Sequence, residues 1–363
     1  MKVAIVHDYL NQYGGAERVL EAFLEIFPEA HLYTLFHDKK RTDGRFVSSV
    51  FKTSFLDNPL VWRKHRFFIP FMPLAMGKMK LADSYDLVIS ATAGYAKGIN
   101  FLDSNKSFHV SYCHTPIRYA WEFDKYFKNP FFRLCKPAFS ALQRWDYKTA
   151  QRPDVLVANS GFIAKKIKSY YGRDALVIHP PVWDKRFSHK GDLENQDKRY
   201  YLSVGRLLHY KKVDLVVEAF KNLGKNLRVV GTGPELNRLK EYARGFPNIE
   251  FLGSISDEDL SGLYMGAKAL IVPQVEDFGI VSTEALTLGV PVIAYAAGGS
   301  LEIVDDGVTG LFFYNQRASD IISTVRQFER MSFSADIIKK SSEKFSFEAF
   351  KGAFLSCLPE RLR

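Results

Sequence analysis

The stretch Val272-Pro273-Gln274-Val275-Glu276-Asp277-Phe278-Gly279-Ile280-Val281-Ser282-Thr283-Glu284-Ala285-Leu286 reads as the end of a buried strand, a polar loop and the opening of a helix. Strand, loop and helix in that order is the repeating unit of a parallel α/β sheet. The helix opens around Gly279, Ile280 and Val281. Unpaired backbone N–H groups and the positive end of the helix dipole favour an anion there, and glycine lets a diphosphate come close to the chain. Two carboxylates flank that point, Glu276 on the loop and Glu284 inside the helix. Carboxylates accept hydrogen bonds from sugar hydroxyls. Taken alone, the pair reads equally well as a solvated loop acid and a first-turn acid favoured by the dipole.

The same rhythm extends outward in both directions. Short β-branched or aliphatic runs at 201–204, 227–230, 249–252, 269–272 and 290–295 alternate with helical patterns such as 213–223 and 257–266. In the first half, runs at 3–6, 87–89, 109–112 and 155–158 do the same. Two Rossmann-like, doubly wound α/β domains are the simplest account. They are expected at 1–187 and 199–340, with a C-terminal helix at 341–363. The polar stretch 188–198 serves as linker after the stiff Pro180-Pro181. Open α/β sheets bind ligands beyond the carboxyl ends of their strands, so two such domains are expected to face each other across a cleft that holds the site.

Other strand ends add candidates. Gly205-Arg206 and Lys211 follow the run at 201–204, and an arginine fork and a lysine point charge can converge on one diphosphate. Gly231-Thr232-Gly233 is a glycine turn between strand and helix, a pattern that tight turns also produce for geometry alone. In the first half, Gly14-Gly15 opens a helix after the first strand, lacking the third glycine of a dinucleotide fingerprint, which disfavours an NAD enzyme. His114 tips the run at 109–112 and is a candidate hydrogen-bonding or acid–base group. Lys97, in Ala93-Gly94-Tyr95-Ala96-Lys97-Gly98, is a weaker candidate that also reads as an ordinary loop lysine.

Gly14-Gly15, His114, Asn159-Ser160, Gly205-Arg206 with Lys211, Gly231-Thr232-Gly233 and the paired Glu276 and Glu284 together resemble the retaining glycosyltransferases of family four, which have the GT-B fold. The opening His7-Asp8-Tyr9-Leu10 and the stretch Cys113-His114-Thr115-Pro116-Ile117-Arg118 look most like the mannosyltransferases that build bacterial surface polysaccharides. The resemblance implies a nucleotide-diphosphate sugar donor, GDP-mannose, and a reaction without a bound metal or cofactor. It assigns Arg206 and Lys211 to the diphosphate, Glu284 to the ribose, and Glu276 with Phe278-Gly279-Ile280 to the transferred sugar, touched by His114. It also implies that the departing phosphate oxygen, not Glu276, takes part in the chemistry at the sugar. A UDP-sugar transferase of the same fold and a catalytically silent sugar-nucleotide binder remain the alternatives.

Composition and charge bound the partners. With 47% hydrophobic and 25% charged residues the chain is ordinary globular protein. The net charge of +10 lies wholly in residues 1–185, which hold 27 Lys and Arg against 17 Asp and Glu. Nucleic-acid recognition motifs are absent, so nucleic acid is not expected as partner. Between Asn58 and Ala82 there is no acidic residue, while Arg63, Lys64, Arg66, Lys78 and Lys80 alternate with aromatic and aliphatic side chains; a second basic and aromatic run covers 125–144. Such runs suit an anionic membrane surface or simply the solvated face of a packed helix. Acceptor or membrane candidates are therefore Arg63, Lys64, Arg66, Lys97 and Arg118, with a lipid-linked or glycan acceptor at the inner membrane face. The short first apolar run, the lack of a membrane-spanning stretch and three cysteines without metal spacing point to the cytoplasm.

Overall fold

The computed structural model describes residues 1–82, 84–101, 107–123, 136–182 and 199–363. The linker expected at 188–198 and the part of the second basic run at 125–135 lie outside these. The described residues form two compact units, Met1–Pro180 with Lys351–Arg363, and Pro181–Phe350.

In the first unit seven parallel strands, β1 (Val3–His7), β2 (His31–Thr34), β3 (Val50–Thr53), β4 (Leu87–Thr92), β5 (Phe108–Cys113), β6 (Val155–Ala158) and β7 (Leu176–Val177), are ordered β3-β2-β1-β4-β5-β6-β7. Every residue of β1 and β4 is buried, as expected for central strands covered on both faces. Helix Gly15–Ile26 puts Val19, Leu20, Ala22 and Phe23 into the core, and the ring of Phe354 from the chain's end packs against Phe23 at 4.8 Å.

The second unit has β8 (Tyr200–Val204), β9 (Leu227–Val230), β10 (Ile249–Gly253), β11 (Ala267–Val272), β12 (Val292–Tyr295) and β13 (Gly310–Phe313), all parallel and ordered β10-β9-β8-β11-β12-β13. Two separate apolar clusters line this sheet. One takes Val216, Val217 and Phe220 of helix Val213–Leu223 with Ile321 and Val325 of helix Ala318–Phe328. The other takes Ala285 and Leu286 of helix Ile280–Thr287 with Ile338 of helix Ala335–Ser342. Both sheets are thus doubly wound and Rossmann-like. The strand order reverses between β1 and β4 in the first and between β8 and β11 in the second, and at such switch points the chains leaving the strands diverge and open a crevice.

Candidate functional site

The crevice of the second unit is built by the loops leaving β8 and β11. After β8 the chain makes a 3-10 turn at His209–Lys211, and Lys212 then takes a left-handed conformation (φ 52°) that starts helix Val213–Leu223. After β11 the loop reaches Gly279, whose φ of +121° only glycine adopts readily, and helix Ile280–Thr287 begins. The two loops meet: Lys211 Nζ lies 2.6 Å from Glu276 Oε1. Gln274, itself buried, donates its amide N–H to the same oxygen. Arg206 is exposed at the end of β8. Glu284 is buried one turn into the helix, where the Tyr264 hydroxyl donates to its Oε2 at 3.0 Å.

The first unit's crevice has a comparable cross-tie. Asp8, at the end of β1, accepts hydrogen bonds from the backbone N–H groups of Ala93, Tyr95 and Ala96 at 2.7, 2.7 and 2.6 Å and from the Thr92 hydroxyl at 3.1 Å. One carboxylate thereby locks the loop after β4 to the end of β1. Gly14 is the N-cap of helix Gly15–Ile26, and its N–H donates to Glu17 Oε2 at 2.8 Å. His114 follows β5, with its own N–H on Thr92 O and its carbonyl accepting from Asn159 Nδ2 at 3.0 Å. Its Nε2 is buried and has no hydrogen-bond partner among the described residues. Burial, helped by nearby His7, pushes the His114 pKa down to about 3, so the ring is neutral at physiological pH. A neutral imidazole serves as a hydrogen-bonding group and not as a proton donor of ordinary acid strength.

Several expected site residues stand differently from their sequence reading. Lys97 is no membrane-facing or loop lysine: its side chain is 1% exposed, donates to Gly94 O at 2.7 Å and pairs with Asp146. Desolvating a lone ammonium is expensive, and Asp146, which also accepts from Trp121 Nε1 and the Tyr171 hydroxyl at 2.7 Å each, compensates it. The Phe278 side chain points into the core and packs on Phe345 at 5.6 Å, leaving only its backbone for a ligand. Gly231 and Gly233 have a packing reason to be glycine, since a Cβ on either would come within 1.9 Å of Gly205 O or 2.3 Å of Leu207 O. The Gly231 N–H is already given to Gly253 O. Arg63, Lys64 and Arg66 are exposed, and Arg118 is half-buried at the start of helix Arg118–Trp121.

The sequence gives no role to Asp8, Gln274, Tyr264 and Asp146, which hold other side chains or loops in place. Nor does it give one to Gly298-Gly299 after β12, where Gly299 N–H donates to Glu276 O at 2.9 Å and braces the Glu276 loop. A glycine pair at a strand end was the one local signal available for that brace. Among the described residues no group of three or more His, Cys, Asp or Glu is placed to hold a metal ion, and no helix is long and apolar enough to cross a membrane.

Comparison with known proteins bears on the domains and the fold. Residues 13–186 match the domain described as Glycosyltransferase Family 4, and residues 184–345 the domain described as Glycosyl transferases group 1. The two matches together span residues 13–345, so the chain carries a family 4 and a group 1 glycosyltransferase domain in series. It is 33% identical over 202 residues to a D-inositol 3-phosphate glycosyltransferase of Geodermatophilus obscurus, a match covering 48% of this chain and 45% of that one. It is 27% identical over 202 residues to an uncharacterised glycosyltransferase of Methanocaldococcus jannaschii, covering 54% and 56%. The chain thus spans about half the length of these curated relatives. Among solved structures, Anabaena HepE in complex with UDP superposes with a TM-score of 0.71 at 18% identity, covering 99% of this chain and all of that one. The lipopolysaccharide outer core galactosyltransferase WaaB gives 0.66 at 18% identity, with 99% and 100% covered. At such identities the superpositions speak for the fold alone.

Proposed function

We propose that this chain is a retaining hexosyltransferase that moves mannose from GDP-mannose onto a lipid-linked or glycan acceptor in cell-surface polysaccharide synthesis. It would work in the cytoplasm with peripheral contact at an anionic membrane face. The observation that carries the donor site is the 2.6 Å contact of Lys211 with Glu276 across the β8–β11 switch point. A cation and a hydroxyl-accepting carboxylate are thereby joined where doubly wound sheets take their ligands.

In this reading Lys211 exchanges Glu276 for diphosphate oxygens, and Arg206 adds a planar fork. The start of helix Ile280–Thr287 contributes backbone N–H groups, which the φ of Gly279 leaves open to close approach. Freed from Lys211, Glu276 accepts sugar hydroxyls beside the backbone of Phe278, Gly279 and Ile280, while Glu284 takes the ribose. His114, neutral, hydrogen-bonds a sugar hydroxyl. The bond from the anomeric carbon to the diphosphate breaks as that carbon bonds to the acceptor oxygen on the same face. The departing phosphate oxygen takes the acceptor's proton. The step is metal-independent: charge building on the diphosphate is met by Arg206, Lys211 and the helix start, groups already oriented before reaction.

A thermal-shift panel of guanosine and uridine diphosphates and their sugars tests the donor, because a ligand that binds only the folded state stabilises it by mass action. A guanosine preference is expected. A uridine preference would replace GDP-mannose with a UDP-sugar, a second reading favoured by HepE, a protein of the same fold solved with UDP and with UDP-glucose. Glu276→Gln should keep measurable transfer, and a covalent glycosyl adduct trapped on Glu276 would overturn the same-face step. Binding of donor with no release of nucleoside diphosphate in the presence of a lipid extract would leave a silent binder instead.

A further inference from the structure

The first unit carries an outward ridge whose chemistry is the reverse of a solvated face. Helix Pro59–Lys64, the 3-10 turn His65–Phe71 and helix Met72–Lys78 follow one another without a strand between them. Their inward positions are apolar and closed: Val61, Met72, Ala75 and Met76 are at most 1% exposed. Positions three and four apart on the outer side of such helices should then be polar. Here Phe67 is 78% exposed, Phe71 53% and Leu74 51%, and Leu60 on the first helix is 59% exposed beside Arg63 and Lys64. Phe51 and Phe55, just before this segment, are exposed as well. Isolated exposed apolar residues need no explanation, but a run of this size does.

Charge says what covers it. From Asn58 to Ala82 there are five lysines and arginines and no carboxylate. The nearest preceding acid, Asp57, is turned inward, where it accepts from Trp62 Nε1 at 2.7 Å and from the His37 N–H at 3.1 Å. Exposed aromatic and aliphatic groups interspersed along the segment with exposed cations, and with no acid in the run from Asn58 to Ala82, match the interface of an anionic bilayer: acyl chains for the rings, headgroups for the cations.

The underside of the segment is fastened to the crevice. His65 Nδ1 lies 3.0 Å from Asn11 Nδ2, and its ring lies 5.5 Å from that of Tyr9, which stacks on Phe36 at 5.1 Å. Tyr9 and Asn11 belong to the loop leaving β1. We propose that residues 51–80 form a docking surface for an anionic lipid bilayer, seated by Phe67, Phe71 and Leu74, and that His65 registers it with the β1 loop. The surface deepens the peripheral contact proposed above and rests on that reading for its purpose, bringing a lipid-linked acceptor to the first unit's crevice.

The test is flotation of the full chain with vesicles of phosphatidylcholine alone or mixed with phosphatidylglycerol, at ~0.1 M and ~1 M salt. Binding to the anionic vesicles, weakened by salt, is expected. Lys78→Gln should lower it about fivefold, and Phe67→Ser with Phe71→Ser by about tenfold or more. Each variant should keep the wild-type melting temperature and thermal shift with nucleotide, so lost binding is not lost folding. Phe67→Trp should show blue-shifted indole emission only with anionic vesicles. Absence of vesicle binding, binding equal for both lipids, or undiminished binding by the Phe67 and Phe71 variant would overturn the proposal. So would a dimer in sedimentation equilibrium that this variant dissolves, since a second copy would then cover the ridge. A missing nucleotide shift with vesicle binding intact would sink the transferase reading and leave the docking surface standing.

Discussion

At the scale of single residues, the two ion pairs of Lys211 and Lys97 show how burial decides what a lysine can do. Lys211 and Glu276 are each about one-sixth exposed, open enough for a ligand to exchange one partner for another. Lys211→Ala should weaken nucleoside-diphosphate binding by about tenfold to a hundredfold, the worth of a hydrogen bond to a charged group, read by calorimetric titration. Unchanged affinity would remove Lys211 from the donor site. Lys97 and Asp146 are closed to solvent, and Asp146 serves three donors: Lys97, Trp121 and Tyr171. Asp146→Ala leaves all three without that acceptor and should cost about 3–5 kcal/mol in denaturant unfolding. Lys97→Met should cost less, because Asp146 keeps two donors. Equal losses would mean that the ion pair alone matters. The sequence around Lys97 shows a small-residue loop and nothing of Asp146, which is 49 positions away. Only the fold brings that acid to it, so its burial was not legible. Glu276 and Glu284 were legible as a pair because both lie in one strand–loop–helix stretch.

At the scale of elements, most inner strands announced themselves, while of the four edge strands β3, β7, β10 and β13 only β10 did. β1, β4, β5, β8 and β11 are runs with hardly a polar residue facing solvent, because helices cover both sides of a parallel sheet. β3 has a half-exposed and exposed pattern with Lys52 in it, and β7, though its Leu176 and Val177 are apolar, is two exposed residues long, too short to show a strand's alternation. β2 hides a histidine whose Nδ1 is satisfied by the Tyr85 hydroxyl at 2.8 Å, a partner 54 residues on. The glycine turns were legible as turns but not in their purpose. Gly231 lies flush on the loop after β8, and an added methyl would collide with Gly205 O, a backbone atom that cannot swing aside. Gly231→Ala should therefore destabilise the second unit by about 1–3 kcal/mol. It should also raise the KM for donor through displacement of Arg206, one residue beyond the struck carbonyl. A loss of stability with an unchanged KM would separate the glycine turn from the donor site.

At the scale of the whole molecule, burial of histidines ties the stability of the first unit to pH. His109 lies inside the sheet with its Nε2 2.9 Å from Ser90 Oγ, and burial, aided by Arg152 and Arg173, pushes its pKa down to about 3. His114 is driven to the same value by burial and His7, while burial also lowers His37 and His65. A depressed histidine binds its proton more tightly in the unfolded chain, whose pKa stays near the ordinary 6.5. Stability is then complete above that value and is lost as pH falls through the window from 6.5 toward 3. Within the window each fully buried histidine removes about 1.4 kcal/mol per pH unit. Urea unfolding over roughly pH 5 to 8 keeps most carboxylates ionised and isolates this slope. The first unit should lose stability on the acid side while the second does not follow in step, giving transitions that separate as pH drops. His109→Gln should flatten the first unit's acid slope by one histidine's share. A slope identical to wild type would show that His109 is protonated in the folded protein, and with it the claim that His114 works as a neutral imidazole would lose its closest parallel.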